Sequence, residues 1–162
     1  MLKILTLTFL LVNILYGDTY NFSELRYSDA LDTNIELKGE ITFRKNYLNI
    51  KYPNKKKELR YINKKLSYFD NDNEVELNED QIHKIINYFE ILTLLHNGDN
   101  NEMKEIFTIK NLDTKTQLTP LGMLSNYIKY IELYKQKNEL SKIKLFFQNN
   151  DSITISIYEK IR

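Results

Sequence analysis

The chain predicts an α+β domain in which a curved antiparallel sheet of about nine to eleven strands wraps one long helix. Three observations carry that expectation. Short stretches of period-two apolar alternation recur along the sequence, separated by turns rich in Asn and Asp. One long stretch, EDQIHKIINYFEILTLLHN (Glu79 to Asn97), switches to helical spacing, with Ile82, Ile85, Ile86, Phe89 and Leu92 on one face. In its second half Tyr88, Ile91, Leu94 and Leu95 widen that stripe until little polar face remains. A helix so apolar needs a surface on more than one side, which a sheet curved around it supplies.

The first residues, MLKILTLTFLLVNILYG, read as a signal peptide rather than part of the fold. Lys3 is the basic n-region, Ile4 to Ile14 is an apolar h-region broken only by Thr6, Thr8 and Asn13, and Gly17 offers a small residue for cleavage before Asp18. A membrane anchor is the alternative, but the run falls short of the roughly 20 residues a span requires. The expected division is a signal peptide over 1–17 and one domain over 18–162. The chain has no cysteine, which excludes disulfides, thiolate metal sites and lipid attachment at cysteine. Removing Lys3 with the leader leaves 22 of the 23 basic side chains against 22 acidic ones. That neutrality argues against nucleic acid as a partner. The mature length, about 145 residues, suits one domain with a real core.

Asp18 to Thr33 carries scattered apolar residues (Tyr20, Phe22, Leu25, Ala30, Leu31) and reads as a short helix or lead-in. From Ile35 the period becomes two: Ile35, Leu37, Gly39, Ile41 and Phe43 alternate with polar residues, as in a half-buried strand. Gly39 in mid-strand signals a bend or a close backbone approach. Strands then follow quickly at Tyr47 to Tyr52, Glu58 to Ile62, Leu66 to Phe69 and Glu74 to Leu77. Pro53-Asn54, Asn63-Lys64 and Asp70 to Asn73 separate them, because Asn and Asp tolerate the left-handed backbone of tight hairpins.

Asn78 and Gln81 form a capping-box pattern at the start of the long helix, and Gly98 stands where its end calls for a left-handed residue. Asp99 and Glu102 repeat the capping pattern, so Asn100 to Glu105 predicts one or two helical turns. Strands resume at Ile106 to Leu112 and Lys115 to Leu118, and Pro120 and Gly122 break the run. Three longer strands complete the pattern: Tyr127 to Lys135, Leu140 to Gln148 and Ser152 to Tyr158, with turns at Lys137-Asn138 and Asn149 to Asp151.

Catalytic chemistry is sparse. His83 and His96 lie thirteen residues apart on the same helix, more than three turns and too far for a shared metal. A solvated helix face accounts for both. Glu79 and Asp80 open the helix, where acids complement the dipole. No phosphate loop, nucleophile elbow or metal-ligand spacing is present, so no enzyme activity, cofactor or metal site is expected. The remaining chemistry is apolar, with Phe43, Tyr52, Tyr61, Phe89, Phe107 and Phe147 among aromatics spread over strands and helix. These residues build either an ordinary core or a cavity between sheet and helix able to hold an acyl chain.

Three segments add a resemblance. FSELRYSDALDTNIELKGEITFRKNYLNIKYP (residues 22–53) has an F-x-x-x-R lead, a Gly in the following strand, and an apolar-x-apolar run reaching Pro53. ILTLLHNGDNNEMKEIF (residues 91–107) is a Leu-rich helix ending in Gly-Asp with a short turn to Phe107, and LTPLGMLSNYIKYIEL (residues 118–133) is an L-x-P followed by a linker and strand. In order and spacing these segments resemble the LolA-type periplasmic lipoprotein carriers and their LolA-like relatives. The resemblance implies an unclosed half-barrel sheet with the long helix packed in its concave face as a lid. It also implies periplasmic localisation, with acyl chains of lipoproteins or another lipid as cargo. The implied partners are an inner-membrane export machine and an outer-membrane acceptor, and the carrier is a monomer.

In that family a basic residue near the end of the strand with the Gly holds the lid. The matching position is Lys45, with Arg44 beside it, although a Lys lacks the planar fork of an Arg. The chain is shorter than such carriers, lacks a full N-terminal helix and contains no tryptophan, a form resembling a branch associated with membrane lipid or glycolipid export. The expected cavity wall is Ile41, Phe43, Ile50, Tyr52, Leu59, Tyr61, Ile131, Leu133, Ile143 and Leu145, faced by Phe89 and Leu92 from the helix. If the helix is a loosely packed lid, truncating Phe89 or Leu92 costs about 1–2 kcal/mol, against about 2–5 for a core helix. Two rivals remain: a periplasmic interaction module with a filled core, and a small outer-membrane barrel. The interrupting helix and the Lys-Ile-Arg ending argue against the barrel.

Overall fold

A computed structural model of the chain describes residues 17–97, 100–137 and 139–161. The expected signal peptide (apart from Gly17), the helix-ending Gly98, the capping Asp99 and the turn residue Asn138 lie outside the described residues.

Six strands form a first meander: β1 (Asp18–Ser28), β2 (Thr33–Arg44), β3 (Tyr47–Tyr52), β4 (Lys57–Ile62), β5 (Lys65–Asp70) and β6 (Asn73–Val75). Two helices follow, α1 (Glu79–Asn97) and α2 (Asn100–Ile106). A second meander then runs through β7 (Phe107–Asn111), β8 (Thr116–Pro120), β9 (Ile128–Gln136), β10 (Glu139–Phe147) and β11 (Ser152–Lys160). Among the described residues these make one 11-stranded antiparallel sheet in the order β6-β5-β4-β3-β2-β1-β11-β10-β9-β8-β7. The two wings meet where β1 pairs with β11, and β6 and β7 are edges that do not pair with each other, so the sheet stays unclosed. The two helices carry the chain from one edge to the other, with α1 packed on the inner face. The α+β class and the unclosed sheet with its central helix are therefore as expected.

The turns follow the predicted chemistry. Positive φ angles fall at Asn46 (56°), Asn63 (48°), Lys64 (66°), Asn71 (50°), Asp72 (64°) and Asn150 (66°), matching the right-handed twist of the flanking strands. At Gly39 a Cβ would come within 2.2 Å of the Lys51 carbonyl oxygen and 3.0 Å of the Phe22 ring, so strand and aromatic both require glycine there. Asn78 caps α1 as expected: its Oδ1 accepts from the Gln81 N–H (2.9 Å) and Gln81 Oε1 accepts from the Asn78 N–H (3.2 Å).

Inner-face rows align across both wings. Phe43 stands opposite Leu48, which stands opposite Tyr61, and Ile41, Ile50 and Leu59 form the next row. In the other wing Ile155, Ile143 and Leu133 form one row, and Leu145, Ile131 and Leu118 another. Phe89, Leu92 and Leu95 of α1 complete the core.

Two expectations are corrected. Asp18 to Thr33 is not a helix or lead-in but chiefly β1, the strand on which both wings meet. Its inner positions run Tyr20, Phe22, Glu24 and Arg26, and two charged residues in that row hide the alternation while Leu25 stands exposed. His83 is exposed, but His96 is not on a solvated face. Its ring stacks on Phe43 (3.9 Å, 8°), meets Tyr20 edge-on, and its Nε2 lies 3.9 Å from Asp18. Burial pushes its pKa below 6.5, with Lys160 adding to the effect and Asp18 opposing it.

These contacts fix the course of α1. Its C-terminal end lies over Tyr20 at the start of β1, while Asp80 and Lys84 near its N-terminus share a cavity with Arg26 and Ser28 at the other end of β1. The helix thus runs antiparallel to the central strand.

Candidate functional site: a cavity beneath the first half of α1

A cavity of about 800 Å³ lies under the N-terminal part of α1. Asp80, His83, Lys84, Ile85, Tyr88 and Ile91 form its roof, a length of roughly 16 Å along the helix axis. Arg26, Leu145, Phe147 and Ile153 form the floor, and Ile128 and Leu124 close one side. Leu31, Ile35 and Tyr127 also line it and are exposed. Apolar and aromatic side chains supply half of the lining residues and polar or charged ones the other half, so the site is amphipathic.

The sequence explains why the space is here. All five buried residues of α1 (Phe89, Ile91, Leu92, Leu94 and Leu95) lie in its second half, so that half sinks into the sheet. Over the first half, Ile85, Ile86 and Tyr88 are only half-buried. Beneath them β1 presents Arg26 and then Ser28, and β2 presents the exposed Ile35, so β1 and β2 raise no large buried apolar side chain into the gap.

The inner end of the cavity is polar. Glu24, with 0% of its surface exposed, lies beneath Arg26 and accepts hydrogen bonds from the Tyr52 hydroxyl (2.6 Å) and from Arg26 Nε. Burial opposes the charge on Arg26, yet the Glu24 carboxylate beside it holds the guanidinium pKa above its ordinary value. Burial, and then Glu24, push the Tyr52 hydroxyl well up. The Tyr88 hydroxyl is buried without a hydrogen-bond partner, and burial, followed by the charge of Glu24, raises its pKa well above the ordinary value. A second polar cluster, Lys115, Glu132 and Tyr134, is bonded within itself and contributes nothing to the cavity lining.

Of the expected cavity wall, only Leu145 lines this space. Ile41, Phe43, Ile50, Tyr52, Tyr61, Ile131, Leu133, Ile143, Phe89 and Leu92 are buried in the packed core, and Leu59 packs against it. They share one inner face, as alternation requires, but the second half of α1 fills the space above them. The expected lid contact is also corrected. Arg44 is exposed and lies over the Tyr47 ring (5.3 Å), and Lys45 is exposed in the β2–β3 turn, making no hydrogen bond or ion pair with a described residue. Lys45 stands in the turn after Arg44, the last residue of β2. The helix is tied down instead by the Tyr61 hydroxyl donating to Glu90 Oε1 (3.0 Å) and by the Phe43–His96 stack.

Sequence reasoning missed Glu24, Arg26 and Tyr88 as site residues. A signal was present: Glu24 and Arg26 are two apart and follow Tyr20 and Phe22 at the strand period, which puts an ion pair on an inner face. Among the described residues no group of His, Asp and Glu is placed to hold a metal, and no helix is long and apolar enough to cross a membrane.

No family model matches the chain, and no curated protein matches it. Among solved structures it is similar to a LolA superfamily protein from Nitrosomonas europaea, with 9% identity, a TM-score of 0.41, and coverage of 90% of this chain and 86% of that one.

Proposed function

We propose that this chain is an exported, non-enzymatic carrier that holds an acyl chain or a similar lipid in the cavity beneath α1. The observation that carries the reading is the cavity itself: about 800 Å³, partly open to solvent, with Ile, Leu, Phe and Tyr side chains supplying half of its lining residues. A space of that size and lining stays unfilled by the chain's own side chains, which a protein without an apolar ligand has no use for. The resemblance of residues 22–53, 91–107 and 118–133 to lipoprotein carriers points the same way. On this reading residues 1–17 are a cleaved signal peptide and the mature monomer works in the periplasm. Cargo passes from an inner-membrane machine to an outer-membrane acceptor, and is either a lipoprotein acyl chain or a membrane lipid or glycolipid.

Mass spectrometry of lipids co-purifying with the mature protein, together with titration of a fluorescent fatty acid, tests the proposal. Specific retention of a lipid supports it. The solid packing of Phe89 and Leu92 favours a second reading, an interaction module with a filled core. Absence of any lipid or probe binding would select that module. N-terminal sequencing of exported material tests localisation, with Asp18 the expected first residue.

A further inference from the structure

The inner end of the cavity is not built for a hydrocarbon tail. Arg26 lines the cavity between Glu24, which is sealed beneath it, and Ser28 at the mouth. Its Nε is committed to Glu24, and the Tyr52 hydroxyl, itself bonded to Glu24, lies within bonding reach of the same guanidinium. The side chain is 46% exposed. Glu24 bonds the guanidinium at Nε, and the exposed part of the side chain, which lines the cavity, carries the rest of the donor edge. That edge matches two oxygens of one carboxylate. The Tyr88 hydroxyl is a second, buried donor without a partner in the same region. The carboxylates near the mouth are engaged elsewhere: Asp80 with Lys84 (2.7 Å), and Asp151 with the Asp29 N–H (2.8 Å) and the Asn149 side-chain amide (2.7 Å).

We propose that the cavity selects a single-chain amphiphile with an anionic carboxylate head, bound head-inward on Arg26 with its chain against Ile85, Leu145, Phe147 and Ile153. This rests on the carrier reading and names its ligand class. A chain entering tail-first would press methylenes against a guanidinium, remove its donors from water and give them nothing in return. A carboxylate entering first satisfies the fork, and the apolar walls then receive the chain. Glu24 acts as a positioning residue in this arrangement, and Arg26 makes the contact.

The test is calorimetric titration of the mature protein at neutral pH with dodecanoate, dodecanol and dodecyltrimethylammonium, each below its micellar concentration. Dodecanoate should bind about tenfold or more tighter than dodecanol, and the cation no tighter than dodecanol. In the double variant Glu24→Gln/Arg26→Met, which leaves no buried charge, dodecanoate should fall to the affinity of dodecanol while dodecanol binding holds. Arg26→Lys keeps the ion pair but not the fork, and should reduce the preference by about threefold or more. Should the double variant fail to fold, this single variant carries the decision. Equal binding of dodecanoate and dodecanol, tighter binding of the cation, or a preference unchanged in Arg26→Lys would overturn the head-inward arrangement and leave the carrier reading standing. Failure of all three chains to bind the parent protein removes the carrier reading, and this inference with it.

Discussion

The two halves of α1 have the same secondary structure and opposite tasks. From Phe89 to Leu95 the helix is driven into the sheet, with Phe89 0% and Leu92 1% exposed. From Asp80 to Tyr88 it roofs a cavity, and its apolar residues are only half-buried. The second half is a pin and the first half a cover. A hinged lid over the whole inner face does not fit this arrangement, because moving the second half would expose the centre of the core. Access to the cavity therefore involves the first half, the β1–β2 turn and the segment around Leu124, with the rest of the helix held fixed.

The largest expected effect tests the pin. Phe89→Ala should cost about 3–5 kcal/mol by urea denaturation, the core value rather than the lid value expected from sequence, whereas Ile85→Ala should cost about 1. Equal costs would erase the distinction between the halves. Hydrogen exchange sharpens it: amides of residues 80–88 should exchange through local openings, and those of 89–95 only near global unfolding.

Next is the polar floor. Tyr52→Phe removes a donor from a fully buried carboxylate and should cost about 2 kcal/mol, read as a lowered urea midpoint with an unchanged slope. An unaffected midpoint would mean that the Tyr52–Glu24 hydrogen bond adds nothing to stability.

His96 adds a pH dependence to the pinned half. Its folded pKa is depressed by burial below 6.5, so between the two values the unfolded chain binds more protons. The stability it contributes is complete above pH 6.5 and is lost as pH falls below that value. His96→Phe should flatten this part of the stability profile, leaving the acid losses of Glu58 and Glu132, whose pKa values lie below 4.5, unchanged. A profile identical to the parent's would place His96 in solvent.

The smallest effects concern the ties between helix and sheet. Tyr61→Phe should cost about 0.5 kcal/mol, since Glu90 is exposed. Lys45→Leu should change stability by less than about 0.5 kcal/mol and leave fatty-acid binding unaltered. A clear change in retention or transfer for the Lys45 variant would restore the lid contact that the structure does not make.

Much of the architecture was legible because its causes are local. Asn78 and Gln81 cap a helix wherever they stand three apart before an apolar stripe, and Asn63-Lys64 or Asn71-Asp72 turn a hairpin on their own backbone preferences. β2, β3, β10 and β11 each announce themselves by alternation within one strand. β1 was not legible, because Glu24 and Arg26 occupy inner positions that only make sense once each has the other, and Tyr52 from another strand, as partner. The cavity wall was misplaced for a related reason. Alternation shows which residues share a face, and those predicted do share it, but not which part of that face a helix will cover.

The element list, the turns and the inner face of most strands follow from spacing along single segments. That β1 joins the two wings, that α1 sinks at one end and spans a gap at the other, and that Arg26 lines that gap emerge only on folding. Those features depend on volumes and charges meeting from segments far apart in the chain. Whether a side chain fills a space, lines it or binds what enters it is set by what stands opposite.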